Sequence, residues 1–170
     1  MTTELMIERV AAPHGAPFAA VLLVSNHASL CALDFAGCAE RMHRLLGRRY
    51  GAYRLTEGKG RHGPALDAYF AGDLDALESI DVSTGGTEFQ AAAWCALRAI
   101  PHGKTATYAE QARRIGRPRA IRAVGAANGQ NPLAIVLPCH RVIGANRALT
   151  GYAGGLDAKA WLLRHEAALP

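Results

Sequence analysis

A cysteine, a histidine and an arginine stand side by side at the end of an apolar run, in the segment IVLPCHRVIG at residues 135–144. The thiolate is the nucleophilic form of cysteine, and nearby His and Arg side chains favour it. The apolar run predicts a strand that Pro138 ends, because proline removes a ladder donor and keeps Leu137 extended. The chain would then turn, with Cys139 at its mouth and His140 within reach of the thiol, directly or through a water. The alternative is a buried, inert cysteine beside a surface histidine.

A carboxylate on the last predicted helix offers a third reactive group. Leu162, Leu163, Glu166 and Leu169 follow the i, i+1, i+4, i+7 spacing of one helix face. A carboxylate on an apolar stripe is costly unless it is paired, and one that accepts a hydrogen bond from histidine fixes the tautomer of that ring. The spacing therefore favours a relay of Cys139, His140 and Glu166. If the helix rolls, Glu166 lies at its edge in water.

Two further features flank the thiol. The segment LTGYAGG, residues 149–155, places three glycines around Tyr152, which is typical either of a mobile loop that covers a planar ligand or of an ordinary surface loop. Asn131, before Pro132, is either a plain turn residue or a brace for the turn that carries Cys139.

The elements that must position these groups are helical. TEFQ at 87–90 and TYAE at 107–110 are capping boxes, in which Ser or Thr is followed three residues later by Glu or Gln. The helix after the second box is closed by Gly116. A third helix is predicted over residues 117–129, with Pro118 favoured as its first residue. Two short helices joined by a glycine turn form the helix-turn-helix pattern, which places its second helix against DNA.

The third predicted helix has a surface of small side chains from which one long cationic side chain, that of Arg122, extends. Its apolar positions Ile121 and Val124 are expected to face inward. Arg122 stands among short side chains and would project beyond them. Such a surface lets a backbone approach a partner closely, and tight packing against the core is the alternative. The small residues are Ala120, Ala123, Gly125, Ala126 and Ala127.

The charge is unevenly distributed. The net charge is +5, and no acidic residue occurs between Glu110 and Asp157. A basic field inside a nearly balanced chain indicates a polyanion partner, with a solvated basic surface as the alternative. The arginines in this interval are Arg113, Arg114, Arg117, Arg119, Arg122, Arg141 and Arg147.

The first half of the chain predicts a different kind of domain. Strands are expected at 4–12, 18–26 and 29–36, followed by helices at 38–51 and 64–73. Residues 81–86, DVSTGG, read as a linker. We therefore expect an α+β chain of two domains, residues 1–82 and residues 83–170.

Composition limits the class of protein. Half of the residues are hydrophobic and 19% are charged, as in ordinary globular chains. No apolar run reaches membrane-spanning length and the N-terminus does not resemble a signal peptide, so we expect a cytoplasmic location. The four cysteines form no C-x-x-C pair and fit neither a zinc site nor a disulfide scaffold.

Taken together, these motifs resemble the O6-alkylguanine-DNA alkyltransferases, or methylated-DNA–protein-cysteine methyltransferases, of the bacterial Ogt-like type. The resemblance covers nearly all of residues 85–167, and the first 80 residues resemble the N-terminal domain of the family only loosely. PCHRV in this setting is highly specific. The motifs, in family order and spacing, are GTEFQ, IPHGKTATYAEQA, IGRPRAIRAVGAANGQNP, PCHRVIG, LTGYAGG and KAWLLRHE.

This resemblance implies a fold and an activity. The expected fold is a small N-terminal antiparallel β-sheet domain with flanking helices, RNase H-like, followed by a mostly helical, winged-helix-like helix-turn-helix domain that carries the active cysteine. The implied activity is single-use DNA repair: Cys139 takes an alkyl group from O6 of guanine, or O4 of thymine, in double-stranded DNA and keeps it. The resemblance implies no cofactor, no metal, no sensing domain and no obligate protein partner, and so a monomer.

It also implies roles for individual residues. His140 would act as a base through a water, oriented by Glu166. Tyr108 would assist rotation of the nucleotide and protonation of the leaving base, and Arg122 would fill the gap left by a base flipped out through the minor groove. The other implied DNA contacts are Ala109, Arg117, Arg119, Ala123 and Ala145. The implied guanine pocket consists of Asn131, Val142, Tyr152 and Ala153.

Two residues depart from the family pattern. Ala153 stands where some relatives carry Ser, so the backbone N–H must serve near O6. Arg147 replaces a common glycine, which could alter the loop or add a phosphate contact, and it leaves the preferred alkyl size open.

Two other functions compete with alkyl transfer. A lesion-binding protein on the same fold would recognise damage without reacting, but relatives of that kind lack the cysteine. A thiol hydrolase built on Cys139, His140 and Glu166 would turn over. This function would not explain Tyr108, Arg122 or the basic segment between Glu110 and Asp157, which contains no acidic residue.

Overall fold

The computed structural model describes residues 1–169, and the chain forms two compact units. The first unit is Met1–Gly85 and the second begins at Gly86. This change of unit falls inside the segment 81–86 that was predicted to be a linker. Gly85 and Gly86 have φ values of 63° and 82°, a conformation that glycine adopts without steric cost.

A four-stranded sheet forms the centre of the first unit, with the spatial order β3-β2-β1-β4. Every residue of β3 is buried, and so are all but one of β2, because these strands carry nearly continuous apolar runs. The three strands predicted from the sequence are all present. The strands are β1 Thr3–Ala11, β2 Ala20–Ser25, β3 Leu30–Phe35 and β4 Tyr53–Glu57.

The fourth strand corrects the prediction of an antiparallel sheet. The pairs β1–β2 and β2–β3 are antiparallel, but β4 runs parallel to β1, with Thr3 opposite Tyr53. The sheet is therefore mixed. The sequence analysis missed β4, although Tyr53 and Leu55 alternate with polar residues, because the strand has only five residues and none of them is fully buried.

Two helices complete the first unit, as predicted. Helix α1, Ala39–Tyr50, buries Met42 and Leu46 against the sheet residues Leu5 and Val24. Helix α2, Gly63–Phe70, carries a proline in its first turn, where a missing N–H costs nothing.

The second unit is mostly helical, which gives the whole chain an α+β composition. Two short strands pair in parallel, with Ala106 opposite Val142 and Thr107 opposite Ile143. No helix in the described part of the chain has the length and apolar character to cross a membrane. The elements are α3 Glu88–Leu97, β5 Ala106–Thr107, α4 Tyr108–Arg114, α5 Ile121–Gly129, β6 Val142–Ile143 and α6 Leu156–His165.

Both predicted capping boxes are confirmed. The Thr87 hydroxyl accepts from the Gln90 N–H at 3.1 Å, while the Gln90 side chain accepts from the Thr87 N–H at 3.0 Å. The same reciprocal pair joins Thr107 and Glu110 at 3.1 and 2.6 Å. Each box satisfies two otherwise unpaired donors and fixes where α3 and α4 begin.

The start of α5 differs from the prediction. Residues 117–120 form a turn closed by the Ala120 N–H and the Arg117 carbonyl at 2.9 Å, so the helix begins at Ile121 and not near Pro118. Val124 is buried as expected, but Ile121 is 43% exposed and does not face inward. The later start leaves Ile121 and Arg122 in the first turn, on the exposed side of the helix.

Buried hydrogen bonds join the three helices around α5. The Trp94 indole donates to the Ala127 carbonyl at 2.8 Å. Gln111 and Asn128 exchange two hydrogen bonds through their amide groups, at 2.9 and 2.7 Å. Because each amide satisfies the other, two polar side chains are buried without leaving their donors unpaired. These contacts fix α5 relative to α3 and α4.

Candidate active site

The segment before the reactive cysteine is a turn, which corrects the prediction of a strand over residues 135–137. The Asn131 side chain spans this turn: its amide donates to the Leu137 carbonyl at 2.8 Å and its oxygen accepts from the Leu133 N–H at 2.9 Å. Periodicity cannot separate a short buried turn from a buried strand, because both are continuously apolar.

Ile135 gives this turn an unusual backbone. Its φ is +70°, a region that β-branched residues rarely enter, and its side chain is buried. The conformation is held by the surrounding packing and by the two hydrogen bonds of Asn131. The turn is therefore a rigid support that ends at Pro138.

Cys139, His140 and Arg141 share a single turn of 3-10 helix. His140 and Arg141 are buried, whereas Cys139 is only half-buried. Successive side chains of a tight helix point in different directions, so the turn leaves Cys139 partly accessible to solvent while it directs His140 and Arg141 into the protein. The four cysteines all lie in the described chain and form no disulfide.

The predicted hydrogen bond between His140 and Glu166 is present. The His140 Nε2 lies 2.8 Å from Glu166 Oε1, and both side chains have 0% exposure. The ionised carboxylate can only accept, so Nε2 carries the proton and donates it to this bond. The other ring nitrogen, Nδ1, is buried and has no hydrogen-bond partner among residues 1–169. Its lone pair can accept a proton.

Arg141 is buried in the site. The sequence analysis had counted it among the arginines of a basic surface, and the structure corrects that prediction. Its guanidinium donates twice to Glu166, at 2.9 Å each, and once to the Ile100 carbonyl at 2.6 Å. A bidentate contact of this kind fixes the plane of the carboxylate. Glu166 lies at the C-terminal cap of α6, just beyond its last turn, and so reaches both partners from one place.

The protonation states follow from these contacts. Burial lowers the pKa of His140, and the charge of Glu166 only partly opposes this effect, so the ring is neutral near pH 7. Burial alone would raise the pKa of Glu166, but His140 and Arg141 outweigh it and hold that pKa well below its usual range. A neutral ring beside a permanent carboxylate is the state in which His140 can act as a base.

The short β5–β6 pair brings Tyr108 next to the thiol segment. Tyr108 is the first residue of α4, directly after β5, and β6 directly follows Arg141. The Tyr108 hydroxyl donates to the Thr150 carbonyl at 3.3 Å. Gly125 of α5 lies beside the same ring, since a Cβ there would come within 3.9 Å of it. Tyr108 therefore lies against both Thr150, in the loop that follows β6, and Gly125 of α5.

Lys159 is a functional candidate that sequence analysis missed. This α6 residue is completely buried, and its Nζ donates to the Val142 carbonyl at 2.6 Å and the Thr150 carbonyl at 2.7 Å. Burial lowers its pKa to about 8, while the charge on Cys139 acts in the opposite direction. The only signal in the sequence is a lysine two positions before a Trp-Leu-Leu run, and lysines near apolar faces commonly extend to solvent.

The remaining predicted residues are those of the predicted guanine pocket and those of the predicted DNA contacts. The Tyr152 ring lies perpendicular to the His140 ring, with 6.4 Å between centroids, and Val142 is buried. Ala153 is exposed in the same loop. The predicted DNA contacts that are exposed to solvent are Arg117, Arg119, Arg122, Ala123 and Ala145, and Ala109 is half-buried.

Arg147 keeps the backbone that a glycine would favour. Its φ is 64°, and its N–H donates to the Gly144 carbonyl at 2.9 Å. The turn is therefore kept despite the larger side chain, which is exposed.

The chemistry open to this arrangement is nucleophilic attack by sulfur. Cys139 is half-buried and directly precedes His140, which is neutral near pH 7, and a negative charge on Cys139 would favour the charge of the buried Lys159. No group of three or more metal-ligating side chains occurs among residues 1–169.

Comparison with known proteins identifies the family. A family model described as "6-O-methylguanine DNA methyltransferase, DNA binding domain" matches residues 88–168. A solved structure of Mycobacterium tuberculosis OGT in complex with DNA superposes with a TM-score of 0.78 at 37% identity, covering 95% of this chain and 92% of that one. The structure of O6-methylguanine-DNA methyltransferase from Pyrococcus kodakaraensis, 24% identical, has the same fold with a TM-score of 0.77 over 95% of this chain and 98% of that one.

A curated relative extends the likeness to both units. The methylated-DNA–protein-cysteine methyltransferase of Salmonella typhimurium is 45% identical over 167 residues, which cover 96% of each chain. The corresponding protein of Methanosarcina acetivorans is 57% identical over 101 residues, 59% of this chain and 64% of that one. On this similarity over nearly its whole length, the chain belongs to the methylated-DNA–protein-cysteine methyltransferase family.

Proposed function

We propose that this protein repairs DNA by moving an alkyl group from O6 of guanine onto Cys139, once per chain and irreversibly. The observation that carries the proposal is the half-exposed Cys139 on a rigid turn, directly before a buried His140 that Glu166 holds in one tautomer. Family membership supplies the substrate class. O4-alkylthymine presents a similar alkyl–oxygen bond and is a second substrate of the same kind.

The reaction is a displacement at a saturated carbon. The thiol of Cys139 gives its proton to His140 Nδ1 through a water, and the sulfur attacks the alkyl carbon. A sulfur–carbon bond forms as the carbon–O6 bond breaks, and the electron pair of the broken bond stays on the base. The base takes up a proton from the Tyr108 hydroxyl; solvent then restores Tyr108 and accepts the proton of His140. The products are an S-alkyl cysteine and guanine.

Single use follows from the product. A thioether has no easy route to hydrolysis, so the sulfur is not regenerated and each chain acts once. The reaction as written balances with the protein, the alkylated base and water, and it needs no cofactor.

Access to O6 requires the damaged base to leave the helical stack. We assign Arg122, exposed in the first turn of α5, to fill the space that the flipped base leaves. The neighbouring small residues suit close approach to the minor groove, which is narrower than the major groove. Contacts with the DNA backbone are assigned to Ala109, Arg117 and Ala145, and further DNA contacts to Arg119 and Ala123.

The flipped guanine would lie between Tyr108 and the loop that carries Tyr152. The Tyr152 ring, close to His140, offers a flat surface for the base. Val142 forms an apolar wall, Asn131 supports the turn before Cys139, and Ala153 offers only its backbone N–H to O6. The absence of a side-chain hydroxyl at Ala153 makes that N–H the donor to the leaving oxygen.

Stoichiometry tests this function. A duplex that carries O6-methylguanine is supplied in tenfold excess, and restored guanine is counted against protein. The proposal predicts a plateau at one guanine per chain. Cys139→Ala should bind the duplex and restore none, while the control Cys95→Ala, at an exposed cysteine of α3, should reach the same plateau as the unaltered chain. Restoration beyond one equivalent would indicate a hydrolase, and binding without any restoration a lesion-recognition protein.

A further inference from the structure

A pair of buried amide side chains lies between α4 and α5. Gln111 is 0% exposed and Asn128 is 8% exposed, and the two side chains exchange hydrogen bonds of 2.9 and 2.7 Å. The Gln111 amide also donates to the Ala93 carbonyl of α3 at 3.0 Å. Gln111 therefore uses its oxygen and both of its N–H groups, and it joins three helices. Burial of polar groups is costly unless they are hydrogen-bonded, as these are.

The amide pair is in register with a second contact between the same two helices. Tyr108 lies three residues before Gln111 on α4, and Gly125 lies three residues before Asn128 on α5. Residues three apart are neighbours along one side of a helix. The Tyr108 ring lies beside Gly125, where an added Cβ would come within 3.9 Å of it. The two helices therefore meet at two points about one turn apart, through the amides and through the ring.

The same register determines the direction of Arg122. Arg122, Gly125 and Asn128 are spaced by three residues, so each is turned by about 60° from the next around the helix axis. Their exposure follows this rotation, since Asn128 is buried, Gly125 is half-buried and Arg122 is exposed. A roll of α5 that separated Asn128 from Gln111 would therefore also turn Arg122 and move Gly125 relative to the Tyr108 ring.

Apolar packing alone would define this register poorly. The apolar residues that α4 and α5 bury are Ala112, Val124 and Ala127, whose side chains are short and whose contacts have no preferred direction. The Trp94 indole bonds to the Ala127 carbonyl, which ties α5 to α3 and not to α4. The directional contact between side chains of α4 and α5 is the amide pair.

We propose that Gln111 and Asn128 are positioning residues that set the register of α5 against α4 and so hold Arg122 in a fixed place relative to Tyr108. This inference rests on the proposed function, which assigns Arg122 to the gap left by the flipped base. Two directional hydrogen bonds are satisfied in one arrangement of the helices, whereas a pair of apolar side chains can pack in several. The amide pair therefore serves the position of α5 more than its stability.

Replacing both amides separates position from stability. Replacement of two hydrogen-bonded partners by apolar groups of similar shape is nearly neutral for stability, so Gln111→Met with Asn128→Leu should unfold near the urea midpoint of the unaltered chain. Its single-turnover rate on duplex DNA should fall about tenfold or more relative to its rate on free O6-methylguanine, because a displaced Arg122 acts only in the duplex. An unchanged ratio of the two rates in this folded variant would overturn the proposal.

Exchange of the two residues is the matched control. Gln111→Asn with Asn128→Gln keeps both amides and their combined length, so the two hydrogen bonds can form again. Its ratio of duplex rate to free-base rate should stay closer to that of the unaltered chain. An equal fall in both double variants would show that the hydrogen bonds do not set the position. If the apolar variant does not fold, Asn128→Ala, which introduces a good helix former, takes its place under the same criterion.

The register is also measurable without DNA. The Cα protons of Gly125 lie beside the Tyr108 ring, whose ring current shifts their NMR signals. The shift should persist in the exchanged variant and decrease in the apolar one, and the same shift in both would contradict the proposal. This measurement needs no methyl transfer. Failure of the proposed function, seen as no transfer by the unaltered chain, is therefore distinguishable from failure of this inference.

Discussion

At the scale of single residues, Glu166 links the reactive histidine to the buried arginine. Its carboxylate accepts from His140 Nε2, from Arg141 Nε and from an Arg141 terminal nitrogen. Its charge holds the ring of His140, the proposed base, and also neutralises a buried guanidinium. A change at this residue should therefore affect both transfer and stability.

Glu166→Gln tests both effects. The amide keeps the size of the side chain, but it carries no charge. Its N–H donors would also face His140 and Arg141, which are themselves donors to this side chain. Breaking a buried ion pair costs about 3 kcal/mol in the free energy of unfolding, and loss of the carboxylate that orients a catalytic histidine slows the reaction by up to about 10⁴-fold. Urea unfolding and single-turnover methyl transfer measure the two effects.

Glu78→Gln is the matched control, because it makes the same change at an exposed carboxylate. It should leave both quantities near their original values. Unaltered transfer by Glu166→Gln would remove Glu166 from the relay.

The same carboxylate makes stability depend on pH. The pKa of Glu166 is lower in the folded chain than in the unfolded one, where it is near 4.5. The unfolded state therefore binds more protons as the pH falls, so the stability contributed by Glu166 is full above about pH 4.5 and is lost progressively in acid. Urea unfolding at pH 6 and pH 3.5 should show a larger loss for the unaltered chain than for Glu166→Gln. Equal losses in the two proteins would contradict the shift.

Only part of this cluster could be predicted from the sequence. Cys139 and His140 are adjacent, and Glu166 stands out as a charge on an apolar stripe, so each carries a local signal. Lys159 and the buried role of Arg141 carry no signal that separates them from surface residues, because their partners are backbone carbonyls and a carboxylate many residues away. Such contacts are set by tertiary packing, which periodicity does not contain.

At the scale of elements, hydrogen bonds on the buried side of α5 hold this helix against α3 and α4, while its opposite side is exposed to solvent. Trp94 bonds to the Ala127 carbonyl, and Gln111 and Asn128 bond to each other. The exposed first turn of α5 then carries Arg122 in a fixed position relative to Tyr108, whose ring lies beside Gly125.

Arg122→Ala should separate base flipping from chemistry. If Arg122 fills the gap left by the flipped base, its removal should slow repair of duplex DNA about tenfold or more, because unstacking costs a few kcal/mol that the inserted side chain offsets. Reaction with the free base O6-methylguanine needs no flipping and should keep its rate. Single-turnover rates on both substrates measure this difference. Equal slowing on both would exclude the proposed role.

The predictability of the elements followed the strength of their local signals. The capping boxes at Thr87 and Thr107 were predicted correctly because both partners lie within four residues. Residues 135–137 were mistaken for a strand, since this part of the turn is apolar and its polar support comes from the single side chain of Asn131. The start of α5 was placed one turn too early, because Pro118 is favoured in a turn as well as in a first helical turn.

At the scale of the whole molecule, the basic field is carried by exposed arginines around α4 and α5. Arg113, Arg114, Arg117, Arg119 and Arg122 are all exposed, whereas Arg141 is neutralised inside the site. Electrostatic attraction to phosphates depends on salt, because each neutralised phosphate releases counterions. The family model that matches residues 88–168 is also that of a DNA-binding domain.

Arg119→Ala should weaken duplex binding at every sequence and make the slope of log affinity against log salt shallower by about 1. Fluorescence anisotropy at several salt concentrations measures the slope. Arg44→Ala is the matched control, an exposed arginine of α1 in the first unit, and should leave the slope unchanged. The same slope for Arg119→Ala and the unaltered chain would exclude a phosphate contact at this position.

The central claim is that Cys139 itself receives the alkyl group, and the mass of the protein after reaction tests it most directly. The intact chain and its peptides would be weighed after mixing with a short duplex that carries one O6-methylguanine. We predict the addition of a single methyl group per chain, located on the peptide that contains Cys139. Tight binding without any change in mass, or a methyl group located on another residue, would contradict transfer to Cys139 and the roles assigned to His140 and Glu166.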